Sequence, residues 1–336
     1  MKLNKTAILI GGSGYIGRHI LKRFLKVGIF DKYLIYDIES LIGFQDEIDK
    51  NTIEFIYGDV RDRLTLPNFK IDNQDSWIFN LAAIHREPGH NFNEYFDTNI
   101  PGANNVCELA ESLSIKNIFF TSSIAPYGRS MEQKSEKSPL YPETGYGISK
   151  ALAEEIHKSW LAKDETDRRL VIVRPSVIYG PKDPGNVYRM IKALKKGTFI
   201  LPNGGNVIKA YGYVFGLVDS ILFTMGKKDE NLIVYNYAEN PLITLKEMTS
   251  VAKNKFDFTK KTLSLPVPFL AFLAGLIQIG SKLIGKKSDI HPVRVRKAGF
   301  PTNIKPGYLI SQGFNFKYDF ESSLEHWQSV SPKDFD

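Results

Sequence analysis

The chain has 336 residues, of which 43% are hydrophobic and 24% are charged, and its formal net charge is +7. This composition is typical of a globular protein that buries a sizeable core, as one large domain or as two smaller ones. The positive charge is not gathered into a basic stripe, so nucleic-acid binding is not expected. The single cysteine, Cys107, excludes an intrachain disulfide.

The N-terminus carries two lysines and then an apolar run, residues 6–10, which ends at Gly11 and Gly12. This run is shorter than the hydrophobic region of a secretory signal. We therefore predict a cytoplasmic protein. Cys107 lies in a helix-like stretch and is predicted to be a small core residue, not a catalytic thiol.

A glycine turn joins the first predicted strand, residues 6–10, to a helix at residues 15–27. In such a turn Gly11 permits the tight bend, Gly14 lets the backbone approach a pyrophosphate, and Gly17 lets the helix pack close to the strand. The N–H groups and the positive dipole end at the helix start then hold phosphates. The pattern predicts a dinucleotide cofactor.

An acid follows at the spacing that this cofactor requires. The second predicted strand, residues 33–36, ends at Asp37, about 20 residues beyond the glycine turn. A carboxylate at this place accepts the ribose 2′-hydroxyl of NAD and repels the 2′-phosphate of NADP. We therefore predict NAD.

Strands and helices continue to alternate, with a long helix at residues 91–113, which indicates a parallel sheet with right-handed crossovers. The fold class predicted is α/β, a Rossmann-type doubly wound parallel sheet with a smaller, mixed α/β substrate-binding C-terminal domain. Residues 1–175 are predicted to bind NAD, with 207–237 returning to that domain. The substrate-binding region is predicted at 176–206 and 238–336. Further strands are predicted at 53–57, 76–80, 116–120, 170–173 and 232–235, and further helices at 185–196, 217–225 and 244–253.

Tyr146 and Lys150 are four residues apart at the start of a predicted helix, so they share one face. A tyrosine phenol has a pKa of about 10, and a neighbouring ammonium would lower it and make the phenol a usable acid and base. An isolated pair of this kind is usually two solvated side chains. It gains meaning here because it follows a nucleotide-binding pattern and the strand end that carries Thr121 and Ser123.

Residues 267–280 are strongly apolar, with prolines before them and lysines after them. The stretch is shorter than the roughly 20 residues that a membrane-spanning helix needs. The interpretation that we favour is a buried or dimer-facing helix, ahead of an interfacial membrane helix and well ahead of a spanning one. Peripheral membrane contact through residues 266–285 therefore stays open.

Together these motifs resemble the extended short-chain dehydrogenase/reductase superfamily, especially its nucleotide-sugar epimerase/dehydratase branch. The resemblance covers residues 5–240 well and the remaining tail loosely. The matching residues are Gly11, Gly14, Gly17, Asp37, Gly58, Asp59, Val60, Asn80, Leu81, Ala82, Ala83, Asn99, Ser123, Tyr146, Lys150, Arg174, Pro175, Tyr179, Gly180 and Pro181.

The resemblance implies roles for three catalytic residues. Tyr146 would be the general acid and base, Lys150 would lower its pKa and hold the nicotinamide ribose, and Ser123 would bind the reacting oxygen. The implied cofactor-binding residues are Gly11, Gly14, Tyr15, Ile16, Gly17, Asp37, Asp59, Val60, Leu81, Ala82, Ala83, His85, Asn99, Thr121, Tyr146, Lys150 and Pro175.

The resemblance also implies a nucleoside-diphosphate sugar as substrate and a homodimer formed through the helices at 91–113 and 146–161. No metal site is predicted, because the six histidines show no ligand spacing. The residues that would bind substrate are His85, Arg86, Ser123, Asn186, Lys209 and Arg294.

Two residues after Ser123 narrow the reaction. In the superfamily that this chain resembles, the 4,6-dehydratases have an Asp-Glu pair directly after the active-site serine or threonine, and the decarboxylases keep the glutamate. This chain has Ile124 and Ala125 at these two positions, and neither can transfer protons. An NAD-dependent C4 epimerase and a keto-sugar reductase that uses NADH or NADPH remain, and Asp37 favours the epimerase because it indicates NAD. A membrane-associated enzyme resembling hydroxysteroid dehydrogenases, and a non-catalytic NAD-binding regulator, are further alternatives. The charged loop at 85–90, and Lys209 where the family usually has arginine, depart from the epimerase pattern.

Overall fold

The computed structural model describes residues 3–67, 70–87, 89–183, 185–283 and 292–335. The strands are β1 (Thr6–Ile10), β2 (Lys32–Asp37), β3 (Ile53–Tyr57), β4 (Trp77–Asn80), β5 (Asn117–Thr121), β6 (Arg169–Pro175), β7 (Val177–Tyr179), β8 (Ile200–Pro202), β9 (Ile208–Lys209), β10 (Tyr211–Tyr213), β11 (Leu232–Tyr237), β12 (Ile243–Thr244) and β13 (Leu263–Leu265). The α-helices are α1 (Tyr15–Val27), α2 (Gln45–Asp49), α3 (Phe92–Ser112), α4 (Gly145–Ala162), α5 (Asn186–Lys196), α6 (Val214–Met225), α7 (Leu245–Lys255), α8 (Val267–Leu283), α9 (Pro292–Ala298), α10 (Gly307–Ser311) and α11 (Phe320–Val330).

Seven strands of the described chain form one parallel sheet in the order β11-β6-β5-β4-β1-β2-β3. Every residue of β1, β4 and β5 is buried, because helices cover both faces of the sheet. This confirms the predicted Rossmann-type fold. The strand order reverses between β1 and β4, and ligands bind in the crevice that such a reversal opens at the carboxyl ends of the strands.

Two apolar clusters sandwich the sheet. On one face Phe24 of α1 and Ile221 of α6 pack against the strands, and on the other face Val106 of α3 and Trp160 of α4 do so. Cys107 is buried in the second cluster, and burial raises the pKa of its thiol to about 12, so the prediction of a core residue is confirmed.

The second half of the chain forms a smaller mixed layer. Three two-stranded sheets, β10-β7, β12-β9 and β13-β8, lie with α5, α7 and α11 around a core that contains Trp327. Of the stretch 207–237, only β11 joins the main sheet, beside β6. The division into domains at residues 175, 207 and 237 therefore stays a prediction. Helix α7 begins at a capping box of Thr244 and Glu247.

Helix α8 is not buried within the chain. Phe269, Phe272, Leu276, Ile277 and Ile279 on it are all exposed, while Ala271 and Ala274 are buried. The prediction that this helix is buried in the core is therefore wrong. A helix whose apolar side chains contact something outside this chain, such as a second copy, remains the interpretation. Among the described residues, no helix combines the length and the hydropathy that crossing a membrane requires.

Glu239 is buried in the smaller layer, where the hydroxyl of Tyr179 donates to its carboxylate. Burial raises the pKa of Glu239 to about 8. Between the usual pKa of a glutamate and pH 8, the folded state therefore holds a proton that the unfolded state has released. The free energy of unfolding consequently falls as pH rises through this window.

We expect Glu239→Gln to remove this fall, measured as melting temperature by calorimetry from pH 5 to pH 8. The exposed Glu321→Gln is the control, and an unchanged pH dependence in Glu239→Gln would contradict the assignment.

Candidate active site

The glycine turn lies in direct contact with the loop that follows β4. Gly11 has a φ of +81°, and a Cβ added there would lie 2.5 Å from the backbone nitrogen of Ala82. A Cβ on Gly17 would lie 2.5 Å from the carbonyl oxygen of Gly12. Only glycine fits at both positions, and the turn and the loop at 81–83 consequently meet at the crevice.

The start of α1 leaves its donors available. Gly14 is the N-cap residue without a side-chain cap, and the first turn, which is fully described, contains no acidic residue. The N–H groups at such a helix start have no intrahelical partner and attract an anion. The donor set therefore fits a dinucleotide pyrophosphate. Ile16 packs against the core, and the hydroxyl of Tyr15 is buried without a hydrogen-bond partner.

Two carboxylates, Asp37 and Asp59, lie at or just after the ends of β2 and β3, where the adenosine is predicted to bind. Asp37, the last residue of β2, accepts hydrogen bonds from the backbone N–H groups of Ser13 at 2.9 Å and Glu39 at 3.0 Å. Asp59 is paired with Arg61 at 2.6 Å, and this guanidinium lowers the pKa of Asp59. Asp37 thus stabilises the glycine turn. It also lies at the strand end where the hydrogen-bond acceptor for the ribose hydroxyl is predicted.

Replacement of Asp37 by asparagine is expected to raise the Kd for NAD about tenfold and to narrow the preference for NAD over NADP. The carboxylate that accepts the ribose hydroxyl and repels the 2′-phosphate would be lost. Calorimetric titration with both dinucleotides measures the two affinities. Glu39→Gln, an exposed neighbour, is the matched control. An unchanged ratio of NAD to NADP affinity would contradict the assignment.

Asn99 fixes the loop beside the nicotinamide position. Its side chain accepts from the backbone N–H of Ile84 at 3.0 Å and donates to Ile84 O at 3.2 Å and to Ser149 Oγ at 2.9 Å. Asn99 therefore holds the loop at 81–85 onto α4. The predicted cofactor contacts Leu81 and Ala83 lie on this loop, so Asn99 acts on them through the backbone.

The three predicted catalytic residues converge at the ends of β5 and β6. Ser123 follows β5, and Tyr146 and Lys150 lie on the first turns of α4. Lys150 is 2% exposed, and its ammonium donates to Thr121 O at 2.8 Å and lies 4.6 Å from the ring centroid of Phe120. Burial lowers the pKa of Lys150 to about 7.

Tyr146 differs from the prediction. Burial raises the pKa of this phenol to about 12, although a hydrogen bond with Ser123 acts in the opposite direction. Lys150 does not lower it here, because the ammonium is turned toward the carbonyl of Thr121. A phenol with this pKa is protonated at neutral pH.

The predicted substrate residues are not all free to bind substrate. His85 and Arg86 are exposed on the loop at 85–90, and Asn186 is exposed and accepts from Arg189 at 2.9 Å. Lys209 is buried, and its ammonium donates to Lys297 O at 2.8 Å and to Phe300 O. It holds the end of α9 instead of an open site. Arg294 lies on α9, but its side chain is outside the described residues.

Two cations that lie beside the predicted substrate-binding residues were not predicted from the sequence. The ammonium of Lys297 lies 3.0 Å from the carboxylate of Glu87, on the loop at 85–90. Arg189 lies close enough to Asp183 to oppose the effect of burial, which raises the pKa of that carboxyl to about 6. Neither cation belongs to a recognisable sequence motif. Glu87 is far from Lys297 in the sequence, and the proximity of Arg189 to Asp183 is apparent only in the folded chain.

The geometry agrees with a comparison to known families. A model of the NAD dependent epimerase/dehydratase family matches residues 7–238. The chain belongs to the NAD-dependent epimerase/dehydratase family. The predicted superfamily branch, its enzymatic character and NAD as its cofactor are thereby confirmed.

Relatives of this family member match nearly its whole length. An N-acetyl-alpha-D-glucosaminyl-diphospho-ditrans,octacis-undecaprenol 4-epimerase of Escherichia coli O157:H7 is 32% identical over 324 residues, which is 96% of this chain and 94% of the relative. The UDP-glucuronic acid 4-epimerase of Bacillus cereus, solved with NAD, is 17% identical with a TM-score of 0.73, covering 98% of this chain and all of that one. The UDP-glucose 4-epimerase of Thermotoga maritima, solved with UDP-glucose, is 19% identical with a TM-score of 0.72, covering 98% and 100%. The two structures support the fold.

Proposed function

We propose that the protein is an NAD-dependent epimerase that inverts C4 of a sugar carried on a diphosphate, with a nucleotide sugar as the predicted carrier. The observation that carries the proposal is the grouping of Ser123, Tyr146 and Lys150 beside the dinucleotide crevice, followed by residues that cannot transfer protons. Ile124 and Ala125 leave no acid or base for dehydration. The relative at 32% identity is named as a 4-epimerase.

Bound NAD would supply the acceptor, and in its reduced form the donor, of the hydride exchanged with the sugar carbon. As a phenolate, Tyr146 would accept the proton of the C4 hydroxyl as the hydride leaves, and as a phenol it would return that proton to the carbonyl oxygen of the keto sugar. Ser123, hydrogen-bonded to the phenol, holds that oxygen in line. Inversion requires the keto sugar to present its other face before the proton and the hydride return.

The protonation state of Tyr146 must be tuned for this role. Burial keeps the phenol protonated at neutral pH in the structure described here. An ammonium swung from the carbonyl of Thr121 toward the phenol would favour the phenolate. Lys150 donates one hydrogen bond to that carbonyl and lies over the ring of Phe120, so the swing costs these two contacts.

Incubation of the purified protein with UDP-, GDP- and dTDP-sugars tests the proposal, with product NMR and the absorption band of reduced nicotinamide as readouts. A new C4 epimer without net change of cofactor is the expected result. Consumption of reduced cofactor only with a keto sugar would identify a reductase and overturn the proposal.

We also propose a homodimer through α3 and α4, peripheral membrane contact through residues 266–285 and a cytoplasmic location. The exposed Phe92 of α3 and Leu152 of α4 support the dimer, and the exposed Phe269 and Ile277 of α8 support the membrane contact. Light scattering of the purified protein tests the dimer. Cosedimentation with vesicles of anionic lipid tests the membrane contact.

A further inference from the structure

Helices α8 and α9 enclose an apolar groove that the proposed reaction does not explain. Its volume is about 620 Å³, and among its lining residues are Val267, Phe272, Leu276, Ile279 and Pro292. Phe272 and Ile279 are each 61% exposed. Apolar side chains gathered on one exposed surface mark a binding site more often than a free surface.

The lining has little to offer a polar ligand. Arg296 is the one charged side chain among the lining residues that the structure describes, and no hydroxyl, amide or carboxylate accompanies it. A nucleoside needs polar groups that fix its base and ribose. A hydrocarbon chain that ends in an anion needs only an apolar channel and a cation.

Helix α9 connects this groove to the active site. Lys297, the residue after Arg296, pairs with Glu87 on the loop at 85–90, and its carbonyl accepts from Lys209. The charge of Glu87 in turn raises the pKa of Tyr146. One short helix therefore contributes a residue to the groove and the next residue to the rim of the catalytic site.

We propose that the groove binds the isoprenoid chain of a substrate whose sugar is joined through a diphosphate to a polyprenyl lipid. The inference rests on the proposed epimerase function and names the carrier on which the sugar is presented. Arg296 lines the groove and Lys297 pairs with Glu87 at the rim of the catalytic site, so the diphosphate would bind between these two places. The face of α8 with Phe272 and Ile279 would receive the first isoprene units. A groove of a few hundred Å³ accommodates a ligand of this size.

Two further observations favour an isoprenoid chain as the ligand of this groove. The relative named as acting on a diphospho-undecaprenol sugar aligns over 96% of this chain, so the similarity is not confined to the sheet that binds NAD. The groove is also a channel between two helices, which suits a single hydrocarbon chain.

The test compares two carriers of one sugar, N-acetylglucosamine, joined through a diphosphate to farnesol or to methanol. The wild-type holoenzyme is expected to show at least about a tenfold higher kcat/KM for the farnesyl carrier, because burial of a few methylene groups is worth that much. In Phe272→Glu and Ile279→Glu the ratio of the two kcat/KM values is expected to fall toward one. Val330→Glu, at an exposed apolar position of α11, is the matched control and should keep the wild-type ratio.

The outcomes separate the two claims. If the wild-type protein epimerises neither carrier nor any nucleotide sugar, the proposed function fails. If it epimerises both carriers with equal kcat/KM, or if the groove variants keep the wild-type ratio, the epimerase stands and the lipid groove is refuted. The wild-type comparison does not depend on the folding of any variant.

Discussion

Tyr146→Phe is expected to lower kcat by about 10²–10⁴-fold, the range that a positioned acid and base contributes. In the proposed mechanism the phenol takes up and returns the proton of the sugar hydroxyl, with Ser123 and Lys150 beside it. Removal of one oxygen from a half-buried ring leaves the packing of α4 intact. Steady-state kinetics with the sugar found to be epimerised, and calorimetric titration with NAD, measure the two effects separately.

Tyr33→Phe provides the control for this experiment. Tyr33 is a buried tyrosine of β2 and belongs to the core under α1, away from the ends of β5 and β6. Its loss of a hydroxyl should leave kcat within about twofold, since it touches no reacting group. Activity in Tyr146→Phe close to that of Tyr33→Phe would remove the enzyme mechanism and favour a non-catalytic NAD-binding protein.

Glu154→Ala is expected to lower the free energy of unfolding by about 3–5 kcal/mol, as is usual when one partner of a buried ion pair is removed. Glu154 is fully buried, and it accepts from Nε of Arg174 at 2.9 Å and from Nη2 at 2.6 Å. Ser122 also donates to it, at 2.5 Å. The variant would leave a buried guanidinium without its carboxylate.

The same pair holds the loop after Ser123. Arg174 donates to the hydroxyl of Tyr127 at 2.8 Å, and that hydroxyl donates to Asn236 at 2.8 Å. A destabilised variant should therefore also lose activity beyond the fraction that unfolds. Urea denaturation followed by circular dichroism measures the stability.

An exposed pair of similar length is the control. Lys255 and Glu325 lie 2.7 Å apart with their side chains 25% and 55% exposed. Glu325→Ala should cost about 0–1 kcal/mol, because solvent screens an exposed ion pair. Equal losses in the two variants would mean that Glu154 contributes no more than a surface charge.

Local chemistry explains why much of the crevice could be predicted from the sequence. Gly11 and Gly17 must be glycine because a Cβ would collide with backbone, and this requirement is visible as a motif. Asp37 ends a strand at a fixed distance from that turn, so its place follows from the βαβ unit. Tyr146 and Lys150 share a face because the helix repeat puts them there.

Contacts between segments that are far apart in the chain, and the charge and exposure that result from them, could not be predicted in the same way. The sequence predicts that Lys209 binds substrate, but its ammonium donates to carbonyls near the end of α9, about 90 positions later in the chain. The pKa of Tyr146 is raised because its phenol is buried, and the segments that pack around it in the folded chain decide that burial.

The sequence by itself determined the family, the parallel sheet and the glycine turn of the NAD crevice, because each follows from backbone geometry or from a spacing of a few residues. Tertiary structure alone decided that α8 is exposed, that α9 joins its groove to the active-site rim, and that Lys209 is already engaged. Those features depend on which surfaces are left uncovered when segments far apart in the chain pack together, and hydrophobicity along the chain does not distinguish a face that meets the core from one that meets a ligand.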